Sequence, residues 1–395
     1  MLIPREAEPI LRRLAEGYPV VAVTGPRQSG KTTLVRTLFG DRPYLSLEDL
    51  DELDFATRDP RGFLARFPDG AVLDEVQRAP ALFSYLQTRV DEDRRSGRFI
   101  LTGSQQFGLL SGITQTLAGR VGLVPLLPFT LGELQAVGKA PESLEDLLFS
   151  GLYPPVYDRQ LDPGIWYGNY VQTYIERDVR QTVNVRDLSV FQRFVRMCAA
   201  RTGRLLNLSA LAADCGVTHN TARSWLSVLE ASYLVHLLQP HHRNFNKRLV
   251  KTPKLYFHDP GLAAWLLGIQ TPGQLATHPQ RGGLFETWVV AELLKARFNR
   301  ALASNLYFWQ DRSEHEVDVL IDQGTSLIPV EVKSGQTVVP ELFRGLESWS
   351  RIAGEEGGRP WLVYGGDRRQ SRSDVEVLPW NQIGALIEAA VTPPA

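Results

Sequence analysis

From residue 19 to about residue 130, short apolar β-branched runs alternate with stretches whose apolar residues recur at helical spacing. PVVAVTG (19–25), PYLSL (43–47), AVLDEV (71–76), RFILTG (98–103) and VGLVPLLPF (121–129) are expected strands. TTLVRTLFG, EDLDELDFATRD and ALFSYLQTRVDEDRR between them carry the helical pattern. Strands that are apolar on both faces belong in a parallel sheet covered by helices on both sides. GLYPPVYDRQLDPG (151–164) is rich in Pro and Gly and marks a boundary. The chain then reads as helical to about 204, through WYGNYVQTYIERDVRQ and LSVFQRFVRMCAARTG. The segment 208–240 reads helix, tight turn at Gly216, helix, then strand. A second α/β pattern starts near 280: LFETWVVAELLKARF is expected to be an amphipathic helix. NLYFWQ, EVDVLID, LIPVEVK, PWLVYGG and VEVLPW are expected strands after it.

These patterns divide the 395 residues into an α/β nucleotide-type domain (1–150), a helical linker or lid (151–204), a winged-helix domain (205–275) and a C-terminal α/β domain (276–395). Lys+Arg (43) and Asp+Glu (44) nearly cancel, so any polyanion-binding surface must be a local patch. Two cysteines, Cys198 and Cys215, are too few for a disulfide framework or a four-ligand zinc site and fit a reducing interior. No stretch approaches the roughly 20 apolar residues of a spanning helix, and MLIPREAEPILRRL carries acids and a proline where a signal peptide is continuously apolar. A cytoplasmic protein with no membrane partner is the expectation.

The first candidate site is Gly25-Pro-Arg-Gln28-Ser29-Gly30-Lys31-Thr32, which fits G-x-x-x-x-G-K-S/T between a strand and a helix. Glycines let backbone N–H groups curl around phosphate, Lys31 offsets β/γ charge, and Thr32, followed by Thr33, can ligate Mg²⁺. A second expected strand ends in Leu73-Asp74-Glu75. Asp74 would hold the metal and Glu75 would polarise the attacking water, which points to ATP hydrolysis with ATP and Mg²⁺ as cofactors. Ser104 closes a further strand and would lie beside the γ-phosphate. Arg120, in Leu-Ala-Gly-Arg, could reach a γ-phosphate in cis or in a neighbouring subunit, and Arg177 and Arg180 are further finger candidates. An arginine acting in trans requires a homo-oligomer, of which a hexameric ring is one form.

Two other groups carry chemistry. In the helix-turn-helix reading, Thr218 caps a second helix that presents His219, Asn220, Arg223 and Ser224, and Val235–Leu238 opens the wing. The wing, HHRNFNKRLVKTPK, holds Arg243, Lys247, Arg248, Lys251 and Lys254 without an acid, as salt-dependent DNA binding would need. The other reading of the segment is a packing module. In the C-terminal domain, Glu331 and Lys333 share one strand face, and Asp318 lies at hairpin distance. With Glu286 on the preceding helix as a third ligand, these carboxylates could hold Mg²⁺ while Lys333 activates water. An exposed strand with a salt-bridged Glu331–Lys333 pair is the alternative, and such cores both cut DNA and merely bind it.

GPRQSGKTT, LDEVQRAP (73–80), LTGSQQF, LAGR, GLYPPVY and YIERDVR together resemble the landmarks of a prokaryotic family of AAA-type ATPases with a C-terminal domain of unknown function, over nearly the whole chain. The resemblance implies an AAA+ core with Lys31, Thr32, Asp74 and Glu75 in the usual roles, a winged-helix region, and a C-terminal fold like PD-(D/E)XK endonucleases. On that pattern Asp318, Glu331 and Lys333 are the signature and Glu286 the helix acid, with Val317 where the motif has proline. The function expected is a Mg²⁺-dependent ATPase that remodels or translocates on DNA, branched DNA included, with metal-dependent cleavage open. The alternative is a nucleotide switch that recognises a protein partner through its C-terminal half.

Overall fold

The computed structural model describes residues 2–104, 113, 115–175, 187–241, 250–311, 315–372 and 374–392. The described residues form two compact units. The first comprises 1–129 with 231–233 and 297–303, and the second comprises 130–230, 234–296 and 304–395.

The first unit is built on a five-stranded parallel sheet in the order β2-β3-β4-β1-β5. Its strands are β1 (Val20–Thr24), β2 (Tyr44–Ser46), β3 (Ala71–Asp74), β4 (Phe99–Gly103) and β5 (Val121–Pro125). Alternate residues point to opposite faces, and each face has its own core. Val20, Ala22, Leu73, Phe99 and Leu101 pack with Leu82, Phe83, Leu86 and Val90 of α5 (Leu82–Glu92). Val21, Val23, Val72 and Ile100 pack on the other side with Leu11 of α1 (Glu8–Gly17) and Leu34, Val35 and Leu38 of α2 (Lys31–Leu38). Helices α3 (Leu50–Arg58) and α4 (Pro60–Ala65) complete the unit on the α5 side, through Ala56, Phe63 and Leu64. The doubly covered parallel sheet is the architecture its apolar strands predict. Two strands are shorter than their apolar runs. β3 stops at Asp74 because Glu75 turns left-handed (φ 55°). β5 stops at Pro125, after which the Leu127 and Pro128 carbonyls turn toward the Arg5 guanidinium.

In the second unit, α6 (Leu208–Cys215), a left-handed Gly216 (φ 70°) and α7 (His219–Ala231) make the expected helix-turn-helix. The strands that flank it in the chain form an antiparallel sheet β6-β8-β7 of β6 (Arg204–Leu205), β7 (Val235–Leu238) and β8 (Lys254–Phe257). The Pro/Gly-rich run expected as a boundary is no free linker. Gly151 to Pro155 are buried, and the Leu152 N–H donates to Asp259 Oδ2 at 2.7 Å. The C-terminal sheet is mixed, in the order β13-β14-β12-β11-β10-β9. It comprises β9 (Leu306–Gln310), β10 (Glu316–Asp322), β11 (Leu327–Lys333), β12 (Trp361–Tyr364), β13 (Gln370–Ser371) and β14 (Glu376–Pro379). The helix before it, α8 (Arg281–Phe298), is buried nearly all round and not amphipathic. Its two buried charges explain how: Lys295 pairs with Glu292 at 2.8 Å, and Glu292 accepts the Leu131 N–H at 2.9 Å.

No helix among the described residues is long and apolar enough to cross a membrane.

Candidate functional site

The strand order puts β4 between β1 and β3. The loop that leaves β1 and the acids that end β3 therefore flank the carboxyl end of β4, where open α/β sheets hold their ligands. Gly25 (φ 142°) starts the loop, and a Cβ there would lie 2.1 Å from the Leu126 carbonyl oxygen, so only glycine fits. Gln28 (φ 63°) and Gly30 (φ 92°) are also left-handed, which curls the loop into α2. Lys31 is buried, and its Nζ donates to the carbonyls of Gly25 (3.0 Å) and Pro26 (2.7 Å). Burial pushes its pKa down to about 8 against the pull of Glu75 and Asp74. The Ser29 hydroxyl is buried without a hydrogen-bond partner among the described residues. A curled loop with an orphaned hydroxyl and a buried ammonium fits a polyphosphate. Thr33 is exposed on the first turn of α2.

Asp74 is held by three hydroxyls. Thr32 Oγ1 donates at 3.0 Å and Tyr44 Oη at 2.7 Å to its Oδ2, and Thr102 Oγ1 donates to Oδ1. Burial and the Asp74 carboxylate push the Tyr44 pKa up, so it stays a donor. Glu75 Oε2 accepts from Ser104 Oγ at 3.0 Å and from Gln77 Nε2. Lys31, Thr32, Asp74, Glu75 and Ser104 are thus brought together as their motifs predict. Tyr44 and Arg5 are additions that sequence spacing does not reveal. Arg5 is buried and donates to Ser29 O and Leu127 O, both at 2.7 Å, clamping the loop from behind.

Arg120 is not part of this grouping. Its carbonyl accepts the Val20 N–H at the opposite end of β1, about 15 Å of strand from the loop at roughly 3.3 Å per residue. Its guanidinium grips Asp91 in a paired contact, 2.7 and 2.9 Å. The expected reach to a γ-phosphate in cis is excluded by that register. Arg177 and Arg180 lie outside the described residues.

In the second unit, Thr218 Oγ1 accepts the Thr221 N–H at 3.1 Å and caps α7, which exposes Asn220, Arg223 and Ser224. Lys251 is exposed, whereas Arg243, Lys247 and Arg248 lie outside the described residues. Both ends of the wing are stitched to β9: His241 N–H donates to Phe308 O (2.7 Å) and Val250 N–H to Gln310 O (3.1 Å). Lys254 corrects the reading of a five-cation wing, because it is 3% exposed and points into the carboxylate cluster.

That cluster holds four acids and two lysines. The pairing of Val319 with Val330 sets Asp318 across from Glu331. Lys333 Nζ bonds Asp318 Oδ2 (3.0 Å) and Glu331 Oε1 (2.5 Å), and the Val332 N–H donates to Asp318 Oδ2 at 2.8 Å. Glu286 instead meets Lys254 Nζ (3.0 Å) and the Tyr256 hydroxyl, and Lys254 also pairs with Glu316. Burial raises the pKa of Glu286 to about 7, partly offset by Lys254, and that of Glu331 to about 8, reinforced by Asp318. Burial also opposes ionisation of Asp318, but Lys333 and Lys254 outweigh it and hold its pKa below the usual range. Among the described residues no group of three or more His, Cys, Asp or Glu side chains is placed to hold a metal ion. Lys254, Tyr256 and Glu316 were legible only as strand alternation, Lys-x-Tyr and Glu-x-Asp, the rule that pairs Glu331 with Lys333.

Residues 17–135 match the family model described as AAA domain, 141–273 one described as domain of unknown function (DUF8612), and 281–383 another such domain (DUF4143). The chain is 33% identical over 390 residues to uncharacterized protein Rv2008c of Mycobacterium tuberculosis and, equally, to uncharacterized protein Mb2031c of Mycobacterium bovis, covering 97% of this chain and 85% of each relative. Among solved structures it is similar to the Walker-type ATPase PABY2304 of Pyrococcus abyssi, at 15% identity and a TM-score of 0.43, covering 67% of this chain and 96% of that one. The chain belongs to the family of these mycobacterial proteins and is an AAA-type ATPase, its AAA domain followed by two domains of unknown function.

Proposed function

We propose that the protein is an ATP-hydrolysing AAA-type ATPase that acts on DNA. The observation that carries the first half is the grouping of Lys31, Thr32, Asp74 and Glu75 at one end of the parallel sheet. In this reading the loop N–H groups and Lys31 bind the β/γ-phosphates, and Lys31 exchanges its carbonyl partners for them. Thr32 and Asp74 would hold Mg²⁺, which when bound offsets phosphate charge. Glu75, steadied by Ser104 and Gln77, orients the attacking water and accepts its proton. ATP turnover by the purified chain tests this. Lys31→Met is expected to lose nucleotide binding, whereas Glu75→Gln keeps binding and loses turnover. Turnover unchanged in Glu75→Gln removes this assignment.

The DNA half is supported by the helix-turn-helix with its β6-β8-β7 sheet and by the exposed Asn220, Arg223 and Ser224 on α7. Binding of duplex, forked and four-way DNA at low salt, followed by salt titration, tests it. Absence of binding to all three leaves the ATPase standing and transfers the C-terminal half to the second reading, a nucleotide switch with a protein partner. The stitching of both wing ends to β9 favours that second reading, since it turns part of the wing into packing. Assembly of copies remains part of the proposal through Arg120, which could serve only a neighbouring copy. Sedimentation of wild type and Arg120→Ala with nucleotide checks it.

A further inference from the structure

We propose that the carboxylate–lysine site is closed by an internal cation: Lys254 takes the coordination places that a divalent metal would need, so the C-terminal domain does not cleave DNA by a metal-dependent route. The sequence pattern assigns Glu286, Asp318 and Glu331 as ligands. The structure does not leave them free to act together. Glu286 Oε1 receives both Lys254 Nζ, at 3.0 Å, and the Tyr256 hydroxyl. Lys254 reaches from β8 to Glu286 on α8 and also to Glu316 on β10. Lys333 occupies the other pair, Asp318 and Glu331. Every carboxylate of the cluster therefore has an ammonium partner.

Mg²⁺ demands several oxygens in near-octahedral array and gives up water reluctantly. Glu331 Oε2 is buried and has no hydrogen-bond partner among the described residues, but a single oxygen is not a coordination shell. Lys254 itself has little freedom to leave. It is 3% exposed and lies over the Phe308 ring, 5.5 Å from the centroid. Withdrawing it would leave the largely buried Glu286 without its cation, and a buried ion that loses its partner is strongly disfavoured. Lys333 alone would be an ordinary neighbour of two acids. Lys254, contributed by a different sheet, is what completes the closure. None of these residues belongs to the nucleotide unit, so the inference stands apart from the ATPase reading.

Mn²⁺ titration of the nucleotide-free full-length chain, followed by electron paramagnetic resonance of the free ion, tests it with wild type, Lys254→Met, Asp318→Asn and the double variant. Wild type and Asp318→Asn are expected to leave Mn²⁺ equally free. Lys254→Met is expected to immobilise one equivalent, and the double variant to release it. One equivalent bound by wild type and lost in Asp318→Asn overturns the proposal. So does a Lys254→Met chain that is folded by circular dichroism and binds none. If Lys254→Met does not fold, the comparison of wild type with Asp318→Asn decides alone: a difference overturns the proposal and equality upholds it.

Discussion

At the scale of the residue, the nucleotide site works by leaving its acids no choice of position. Asp74 takes hydroxyl donors from three separate elements, Thr32 on α2, Tyr44 on β2 and Thr102 on β4. Together they hold the carboxylate from three sides, and a hydrogen bond to a charged group contributes about 1.5–3 kcal/mol. Removing the Tyr44 hydroxyl by Tyr44→Phe is expected to lower ATP turnover about tenfold, the kinetic equivalent of about 1.4 kcal/mol. The Mg²⁺ concentration for half-maximal rate should rise, and an unchanged Mg²⁺ dependence would remove Tyr44 from the site. Arg5 acts on the loop and not on the metal. Arg5→Met strands the Ser29 and Leu127 carbonyls, so it should weaken nucleotide binding while leaving the Mg²⁺ midpoint alone. The phosphate loop and Asp74-Glu75 were legible because each is a contiguous run whose spacing is its chemistry. Arg5 and Tyr44 were not, since Tyr44 acquires meaning only once β2 is paired with β3, and Arg5 only once the parallel pairing of β1 with β5 brings Leu127 beside the loop. Arg120 shows the converse. Its place beside an apolar strand was readable, but which end of the sheet it occupies follows from the parallel register of β1 with β5.

At the scale of the element, the helix-turn-helix was legible for local reasons. Thr218 caps α7, Gly216 supplies the left-handed turn, and buried Leu211, Ala222 and Trp225 recur at helical spacing. What escaped the sequence is non-local. Lys254 looked like a wing cation because its neighbours are basic, yet β8 alternates Lys254 and Tyr256 toward buried acids. Pairing of the wing ends with β9 joins residues roughly 60 apart in sequence, for which no local pattern exists. Two of the exposed positions on α7, Asn220 and Arg223, then carry the DNA prediction. Arg223→Ala should weaken binding to every DNA in the panel by a similar factor and lower the salt slope by about one. Asn220→Ala, which removes no charge, should leave the slope intact. Equal slopes in wild type and Arg223→Ala would move the contact surface off this helix.

At the scale of the whole molecule, the two units should answer to different solution conditions, because each has its own core and its own ionisable burden. The first holds the nucleotide loop, and a ligand that binds only the folded form stabilises it by about 2.7 kcal/mol at one hundred times its Kd. A non-hydrolysable ATP analogue should therefore raise one calorimetric transition by about 5–10 °C. The second holds His258, 4% exposed, with its ring 5.8 Å from that of His236. Burial, then His236 and Lys295, hold the His258 pKa well below its ordinary 6.5. The unfolded chain binds a proton below pH 6.5 that the folded one refuses. Stability from this group is thus complete above pH 6.5 and falls as the medium becomes more acid, by about 1.4 kcal/mol per pH unit. Glu286 and Glu331, whose pKa values burial raises, work in the opposite sense over the same range, so the histidine contribution is read as a difference. Between pH 7 and pH 5.5 the transition of the second unit should fall in wild type relative to His258→Gln, while the nucleotide-sensitive one shows no such difference. That difference holds whatever the effect of His258→Gln on the transition at pH 7, because the glutamine has no proton to gain on unfolding, whereas His236, its pKa lowered by burial to about 4, keeps its own contribution in both chains. A single transition moved together by analogue and by acid would instead mean that the units unfold as one, and the separate cores would then be only a geometric division.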